Sequence, residues 1–371
     1  MSEISPASAQ ARSVETPAAA GSVEKPAAPG SSKSGKVPAI RVSNLYRAFG
    51  DINAVNDVSF EIQQGQVVGF VGANGAGKTT TMRILATLDY PTSGTAEILG
   101  VDVVDYPGEI RKILGWMPDH FGTYDYMTVI EYLDFFARAL GYKGDERIER
   151  VQEVMEFTEL DKLADRLINT LSKGMGQRLC LGRALIHDPE VLILDEPAAG
   201  LDPKARVELK HLIRILAEEG KTIFISSHIL SELGEMCDEL LFINRGKVFY
   251  QGTAEDLKKM TNEGTLIKVE LDGKPEMLEQ WSAMSPHVKF IDSNRLGGRI
   301  EVDSSEPDVI AGVLRKMIND SLPVVEFRKE ERALEDVFIE IVGKLEREAD
   351  LEEAAKLNPV KPAAAEPASK S

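Results

Sequence analysis

The sequence predicts an α/β fold with a mixed sheet, an inserted helical subdomain and a smaller α+β domain near the C-terminus. A glycine-rich stretch, Gly72–Thr79, follows an apolar segment of β propensity and precedes a helical pattern. Two short apolar runs, Val191–Leu194 and Thr222–Ser226, are flanked by helical patterns, which is typical of buried parallel strands. From about residue 264, strand patterns alternate with amphipathic helices and predict a separate accessory domain.

The composition is that of a folded chain with more than one domain. Of the 371 residues, 43% are hydrophobic and 28% are charged, so we expect neither wholesale disorder nor a fibrous architecture. Lys and Arg total 43 against 60 Asp and Glu, which gives a net charge of −17. That charge repels phosphate backbones and anionic lipid headgroups, so we expect no nucleic-acid partner.

Apolar runs and cysteines predict the compartment. Runs such as Val191–Leu194 and Leu240–Ile243 are far shorter than the roughly 18 residues that cross a bilayer, so membrane contact is expected only through a partner. The two cysteines, Cys180 and Cys237, are too few for a disulfide framework and fit a reducing compartment. We therefore expect a cytoplasmic protein.

Composition and pattern divide the chain into four segments. Residues 1–37 are rich in Ala, Pro and Ser and predict a disordered tail. Residues 38–263 form the predicted α/β domain, in which a helical subdomain is inserted at about residues 118–180. Residues 264–346 form the accessory α+β domain. Residues 347–371 hold the end of a helix and a second disordered tail, because their apolar surface is too small to offset the entropy of ordering.

The first elements of the α/β domain are short strands followed by a helix. Ala39–Ser43, Val58–Ile62 and Val67–Val71 are rich in β-forming residues, and a helical run starts near Lys78. The inserted subdomain is predicted from apolar residues at helical spacing, which are Tyr132, Phe135, Phe136, Ala139, Leu140, Val151, Val154, Met155 and Leu160.

The accessory domain is predicted to follow the order strand, helix, strand, strand, helix, strand, which is that of a ferredoxin-like fold. Its candidate elements are Ile267–Leu271, Pro275–Met284, Val288–Ile291, Arg299–Val302, Val309–Ile318 and Val324–Phe327. One face of a final helix carries Leu334, Val337, Phe338, Ile341, Val342 and Leu345. Such a stripe is more typical of packing than of a binding surface.

The stretch Gly72–Thr79 fits the pattern GxxxxGK[ST] between a strand and a helix, which is the context of a phosphate-binding loop. Glycines let backbone amides close around phosphate oxygens, and the helix N-terminus adds partial positive charge. Lys78 is expected to reach the terminal phosphates, and the Thr79 hydroxyl to bind Mg²⁺. The alternative is a glycine-rich turn without a ligand. The residues expected to hold the nucleotide here are Gly72, Asn74, Gly75, Ala76, Gly77, Lys78, Thr79 and Thr80.

Two adjacent carboxylates follow the apolar run that ends at Leu194. A buried strand of an open α/β sheet delivers such acids to the edge where ligands bind. Asp195 is expected to support Mg²⁺, while Glu196 is free to orient and polarise an attacking water, which predicts hydrolysis. Without the glycine-rich loop, an Asp-Glu pair could equally be an ordinary helix cap.

The stretch Leu171–Arg178 is similar to the LSGGQ signature of the ATP-binding cassette (ABC) family, with lysine and methionine at its third and fifth positions. With the glycine-rich loop and the acid pair, in the family's order, it makes the chain resemble that family over about Ile40–Met260. The resemblance implies a P-loop NTPase cassette in which Ser172 and Gly174 cover the γ-phosphate of ATP held by another subunit. Ser172 is also a residue type that caps helices for structural reasons alone.

Other positions extend the resemblance. Ala199–Asp202 resembles the family's dimer-contacting loop, and His228 resembles its γ-phosphate-contacting histidine, although a lone histidine can be structural. The resemblance implies that an aromatic residue stacks on adenine. Phe49 fits the family spacing better than Tyr46, and the alternative for either residue is a place in the core. Asp119 stands where the family usually has glutamine and can only accept hydrogen bonds when ionised. It either contacts Mg²⁺ or is a solvated loop residue.

The resemblance implies an Mg²⁺-dependent ATPase that works as a pair of cassettes. One chain has one glycine-rich loop and one signature, which cannot serve the same nucleotide if the signature faces a second subunit. We therefore expect a homodimer, or a heterodimer with a paired ABC subunit, that closes around two ATP molecules.

The resemblance further implies a separately encoded transmembrane permease driven by this subunit from the cytoplasmic face of the cell membrane, in an exporter. The alternative is a soluble ABC ATPase that acts on ribosomes or DNA. That class usually has two cassettes in one chain or a long coiled-coil insertion, and neither is present in this sequence.

Overall fold

The structure is a computed structural model that describes residues 37–120, 122, 124, 126–260, 264–330 and 334–343. The predicted tails lie outside these ranges, apart from Val37. Every helix in the described ranges falls short of the length and apolar character that a bilayer crossing requires.

The elements alternate between strands and helices along most of the chain. The strands are β1 (Ile40–Phe49), β2 (Ile52–Ile62), β3 (Val67–Val71), β4 (Ser93–Ile98), β5 (Val101–Asp102), β6 (Leu114–Met117), β7 (Val191–Leu194), β8 (Thr222–Ser227), β9 (Glu239–Asn244), β10 (Lys247–Gly252), β11 (Thr265–Leu271), β12 (Val288–Asn294), β13 (Gly297–Val302) and β14 (Val324–Lys329). The α-helices are α1 (Lys78–Leu85), α2 (Pro107–Ile113), α3 (Val129–Ala139), α4 (Gly144–Phe157), α5 (Lys173–Leu185), α6 (Pro203–Glu218), α7 (Leu230–Gly234), α8 (Ala254–Met260), α9 (Glu276–Ala283) and α10 (Pro307–Asn319). Residues 334–343 are also helical.

A six-stranded sheet in the order β10-β9-β3-β8-β7-β6 forms the centre of the α/β domain. The neighbours from β9 to β6 pair in parallel, and β10 pairs antiparallel with β9, so the predicted mixed sheet is confirmed. The predicted runs Val191–Leu194 and Thr222–Ser226 lie side by side in this sheet. Their carboxyl ends therefore share one edge with the end of β3.

The two earliest predicted strands do not join this sheet. They extend into β1 and β2, which pair with β4 and β5 in a separate antiparallel sheet of order β2-β1-β4-β5. Only β3 of the three early segments enters the central sheet. Its Val68 and Phe70 pack toward the antiparallel sheet, while Val67 and Val71 pack with the helices of the opposite face. Because both faces are covered, every residue of β3 is buried.

The segment between β6 and β7 contains the predicted helices. The N-cap of α3 is Thr128, whose hydroxyl accepts from the backbone N–H of Glu131 while the Glu131 carboxylate accepts from the backbone N–H of Thr128. Tyr132 and Leu133 of α3 are fully buried with Val154 of α4 in the cluster that also holds α5. The helical insertion thus packs directly against the helix that starts at the signature.

The accessory domain has the predicted order of elements. Its strands form an antiparallel sheet of order β12-β13-β11-β14, so β11 and β13 lie at the centre although α9 and β12 separate them in sequence. Val269 of β11 packs with Trp281 of α9 and Met317 of α10 in a separate core. The predicted ferredoxin-like arrangement is confirmed.

Residues 334–343 pack on the α/β domain rather than on the accessory core. Val337 is fully buried in the cluster that contains the central sheet, and the Phe338 ring centroid lies 5.1 Å from that of Phe242 on β9. The predicted packing role of the final apolar stripe therefore holds for Leu334, Val337, Phe338 and Ile341. Leu345 lies outside the described ranges.

Candidate active site

The glycine-rich loop joins the buried strand β3 to α1, and its backbone requires glycine at two positions. Gly75 has φ +81° and Gly77 has φ +110°. A Cβ on Gly77 would also lie 2.5 Å from the carbonyl oxygen of Ala54. The loop therefore combines a left-handed backbone with a close approach that only glycine allows.

Lys78 begins α1 and is 5% exposed. Its Nζ donates to the carbonyl oxygens of Gly72, at 2.7 Å, and Ala73, at 3.3 Å. It also lies 3.5 Å from Oε1 of Glu196. The ammonium group is thus fixed at the open end of the loop, beside the carboxylate that follows β7.

Asp195 is fully buried at the end of β7. Its Oδ1 accepts from the hydroxyl of Ser226 on β8 at 2.6 Å, whereas Oδ2 is buried with no hydrogen-bond partner within the described residues. Burial raises the pKa of this carboxyl, and the hydroxyls of Ser226 and Thr79 act in the opposite direction. An unsatisfied buried carboxylate oxygen next to Thr79 is a donor set that fits a hard, hydrated cation such as Mg²⁺.

Protein side chains would supply only part of such a coordination shell. The described residues contain no group of three or more His, Cys, Asp or Glu positioned to hold a metal ion. Mg²⁺ usually keeps several waters and binds through one or two side chains together with substrate phosphates. The geometry therefore fits an ion that arrives with a nucleotide rather than a metal held by the protein alone.

Glu196 adopts a backbone conformation that is rare for its residue type, with φ 49°. Its N–H donates to the Ser226 hydroxyl at 2.8 Å, so one serine holds both acidic residues. Its Oε2 lies 2.7 Å from Nδ1 of His228, and its Oε1 faces Lys78. Left-handed conformations of this kind cost about 1–3 kcal/mol and are typical of functional positions.

These groups border an open pocket of about 560 Å³, which we call the cleft. Ten residues predicted from the sequence line it: Phe49, Asn74, Gly75, Gly77, Lys78, Thr79, Thr80, Asp119, Glu196 and His228. Four further residues line it: Ala54, His120, Lys173 and Ala199. The predicted residues Gly72, Ala76, Ser172, Gly174 and Asp195 are not among those that line it. Gly72 adjoins it through its contact with Lys78, and Asp195 through Ser226, which also binds the backbone N–H of Glu196.

Phe49, and not Tyr46, lines the cleft. Phe49 is 47% exposed at the end of β1, with the Arg47 guanidinium 4.3 Å from its ring centroid. The pKa of Tyr46 is raised by burial and by the nearby Asp57 carboxylate. The end of β1 therefore places the Phe49 ring at the cleft, whereas Tyr46 does not line it.

Asp119 lines the cleft with a half-exposed carboxylate. Its Oδ2 lies 3.0 Å from Nδ1 of His120, and its charge contributes to raising the pKa of Asp195. Both alternatives raised by the sequence, a metal contact and a solvated loop residue, are compatible with this position.

The signature segment begins α5. The hydroxyl of Ser172 accepts from the backbone N–H of Met175 at 3.3 Å, so Ser172 is the N-cap. A Cβ on Gly174 would lie 2.8 Å from the Cβ of Ala205 on α6, which fixes the two helices close together. Neither Ser172 nor Gly174 borders the cleft of its own chain.

Besides Ala54, His120 and Ala199, which line the cleft, sequence reasoning missed Ser226 and Lys173. Ser226 holds Asp195 and Glu196 from the neighbouring strand, and its only signal was a polar residue at the end of an apolar run. Lys173 was noted only as a departure from the signature. Both depend on contacts between segments far apart in sequence, which periodicity does not report.

We expect Asp195→Asn to raise the free energy of unfolding of the full chain by about 1 kcal/mol at pH 7 in EDTA. Because burial raises the pKa of Asp195, the folded state binds its proton more tightly, and stability falls as pH rises from the ordinary carboxyl pKa through the raised one. Asparagine removes that cost and still accepts from Ser226. Urea unfolding measures the change, and Mg²⁺-dependent ATPase activity should be lost. A less stable variant would contradict the account.

Two families match the sequence. Residues 55–199 match the family described as ABC transporter. Residues 252–342 match the family described as ATP-binding protein DrrA1-3-like, C-terminal domain, which covers the accessory domain and the helical residues after it.

Several relatives match nearly their whole length. The uncharacterized ABC transporter ATP-binding protein YxlF of Bacillus subtilis is 34% identical over 82% of this chain and 99% of its own. Nod factor export ATP-binding protein I of Ralstonia nicotianae is 31% identical over 84% of this chain and 95% of its own. Bacitracin transport ATP-binding protein BcrA of Bacillus licheniformis is 35% identical over 82% of this chain and 97% of its own.

Solved structures resemble the α/β domain. The structure of an ATP-binding subunit of an ABC transporter gives a TM-score of 0.55 at 29% identity, covering 60% of this chain and 92% of that one. A dimeric ATP-binding cassette in a post-hydrolysis state, bound to ADP and Pi, gives a TM-score of 0.53 at 26% identity. The match covers 58% of this chain and 98% of that one.

Proposed function

Because the chain belongs to the ABC transporter family of ATP-binding subunits, we propose that its cleft binds ATP with Mg²⁺ and hydrolyses it to drive export through a separate permease. The chain is an ATPase and a transport subunit. The observation that carries the assignment to this cleft is Glu196, which lies between Lys78 and His228.

The glycine-rich loop and Lys78 hold the phosphates. The backbone N–H groups at the start of α1 and the ammonium group provide positive charge at one end of the cleft. Phe49 offers an exposed ring at its edge for adenine, and stacking on an aromatic side chain contributes about 1–3 kcal/mol per base. These contacts orient the γ-phosphate toward Glu196.

Thr79 and Asp195 would hold the magnesium ion that accompanies ATP, with Asp119 as a further carboxylate at the cleft. Bound Mg²⁺ neutralises charge on the phosphate oxygens. Asp195 acts from a fixed position, because Ser226 holds its Oδ1 and leaves Oδ2 directed to a further partner.

Glu196 orients the attacking water and accepts its proton, and His228 contacts the γ-phosphate. The carboxylate already pairs with both the phosphate-binding lysine and the histidine, so the three groups form one linked set. The attacking water, the γ-phosphate and the proton acceptor are thereby brought within reach of one another.

A second cassette completes the site. Ser172 and Gly174 lie outside the cleft of their own chain but at the N-terminus of α5, where backbone N–H groups suit an anion. Two chains, as a homodimer or with a paired ABC subunit, would each cover the nucleotide of the other. The post-hydrolysis cassette that resembles this chain is dimeric.

Export is favoured by relatives that this chain matches over nearly their full length. Two of them are named for Nod factor export and bacitracin transport. We propose that this chain likewise acts at the cytoplasmic face of the cell membrane through a transmembrane permease. The alternative, a soluble ABC ATPase on ribosomes or DNA, has no support among these relatives.

Affinity purification of the tagged full chain from native membranes in mild detergent tests the partner. We expect a membrane protein with several apolar spans of about 20 residues to copurify. Reconstituting that protein with the chain in liposomes should raise the ATPase rate, with Lys78→Ala as the inactive control. Recovery of the chain only with ribosomes or DNA would contradict the proposal.

A further inference from the structure

The signature segment sends one side chain toward the cleft of its own chain. Lys173 is the first residue of α5 and lines the cleft together with Lys78 and Glu196. Its Nζ lies directly against Gly200. A side chain at position 200 would clash with this Nζ, because its Cβ would take nearly the same place. Lys173 therefore contacts the loop after Glu196 and lines the same cleft as the glycine-rich loop.

The other basic side chains that line the cleft lie beside carboxylates. Lys78 and His228 lie 3.5 Å and 2.7 Å from Glu196, and His120 lies 3.0 Å from Asp119. Lys173 forms no ion pair with any residue in the described part of the chain. An exposed ammonium held beside a cleft without a counter-ion is available to an anionic ligand.

The charge of the cleft favours a second lysine. Asp119, Asp195 and Glu196 bring three carboxyl groups to the site, and ATP adds a triphosphate. Lys78 offsets only one of these negative charges, and Mg²⁺ bound with ATP would offset two more. A second ammonium at the cleft would stabilise bound ATP more than bound ADP, because ADP lacks the terminal phosphate.

We propose that Lys173 binds the terminal phosphate of the ATP held by its own chain and makes the cleft prefer ATP over ADP. This inference rests on the proposed function, in which the cleft binds ATP. It assigns the third position of the signature to the cleft of the same subunit, whereas Ser172 and Gly174 serve the nucleotide of the other subunit.

Gly200 is the positioning residue for Lys173. It has φ +67° and no side chain, so the side chain of Lys173 packs directly on it. A methyl group at position 200 would occupy the space that Nζ takes and would move the ammonium out of the cleft. The pair Lys173 and Gly200 thus acts as one unit.

The test measures binding of AMP-PNP and ADP, each with Mg²⁺, to the full chain at concentrations where sedimentation shows a monomer. For Lys173→Met we expect AMP-PNP affinity to fall about three- to tenfold and ADP affinity to change by less than about twofold, because an exposed charge contact is modest. Lys173→Arg should retain the preference. Lys162→Met, which replaces an exposed lysine away from the cleft, is the matched control.

Gly200→Ala should lower AMP-PNP affinity in the same direction, and adding Lys173→Met to it should cause no further loss. Equal AMP-PNP affinity for wild type and Lys173→Met in the monomer would overturn the inference. So would a loss seen only when the dimer forms, because that places the contact in the other subunit.

The failure of this inference is distinct from failure of the proposed function. If the wild-type chain binds AMP-PNP and Lys78→Ala does not, the cleft binds the nucleotide, and the result for Lys173 decides the inference alone. If the wild-type chain binds neither nucleotide, the proposed function itself is wrong.

Discussion

Replacing Glu196 by glutamine is expected to lower kcat for ATP hydrolysis by about 10²–10⁴-fold and to leave ATP binding intact. Glutamine keeps the shape of the side chain and can still hydrogen-bond to His228, which lies 2.7 Å from the carboxylate. It cannot accept the proton of the attacking water. If the proposed two-subunit complex opens only after hydrolysis, the variant should also accumulate as a dimer with bound ATP.

Single-turnover hydrolysis and sedimentation with ATP and Mg²⁺ measure the two effects. Glu218→Gln, an exposed glutamate at the far end of α6, is the matched control and should behave as wild type. Unchanged turnover in Glu196→Gln would show that another group activates the water. Loss of ATP binding would instead give Glu196 a role in holding the nucleotide.

Lys78→Ala is expected to reduce nucleotide affinity by about 100-fold or more. The ammonium group is 5% exposed and is fixed by the carbonyl oxygens of Gly72 and Ala73, so it is held in a set position at the glycine-rich loop. Hydrogen bonds to charged groups contribute about 1.5–3 kcal/mol each, and 1.4 kcal/mol corresponds to tenfold in affinity. Removing the group also leaves Glu196 without its lysine partner.

Equilibrium binding of ATP and ADP, with thermal unfolding of the same samples, measures the effect. Lys78→Met is the matched variant, because it keeps the buried aliphatic stem and removes only the charge. Both variants should lose affinity for both nucleotides, unlike a change at Lys173, which should act on the triphosphate alone. Full nucleotide affinity in folded Lys78→Met would refute the assignment of the cleft.

Local sequence patterns were sufficient to predict those features whose chemistry and conformation depend on neighbouring residues. The glycine-rich loop is one contiguous stretch, and its strand and helix are recognisable from period and propensity alone. The accessory domain was predictable for the same reason, since its alternating strands and striped helices each bury one face. The strands of the central sheet are recognisable as short, continuous apolar runs because both faces of the sheet are covered.

Other elements carried weaker local signals. The strand β4 contains Ser93, Gly94 and Thr95, which do not form an apolar alternation, and it is a strand because β1 pairs with it. β9 was visible only as an apolar run, and its place beside β3 depends on parallel pairing. Pairing partners lie far apart in sequence, so a local window does not contain them.

The sequence by itself determined the phosphate-binding loop, the acid pair after β7, the α/β class and the order of elements in the accessory domain. Each of these is written in residue types and spacings within short segments. The tertiary structure alone decided that Ser226 holds both acids, that Glu196 joins Lys78 to His228, and that Lys173 packs on Gly200 and lines the cleft. The physical reason is that side-chain contacts at a sheet edge depend on strand order and helix packing, which the whole chain sets together.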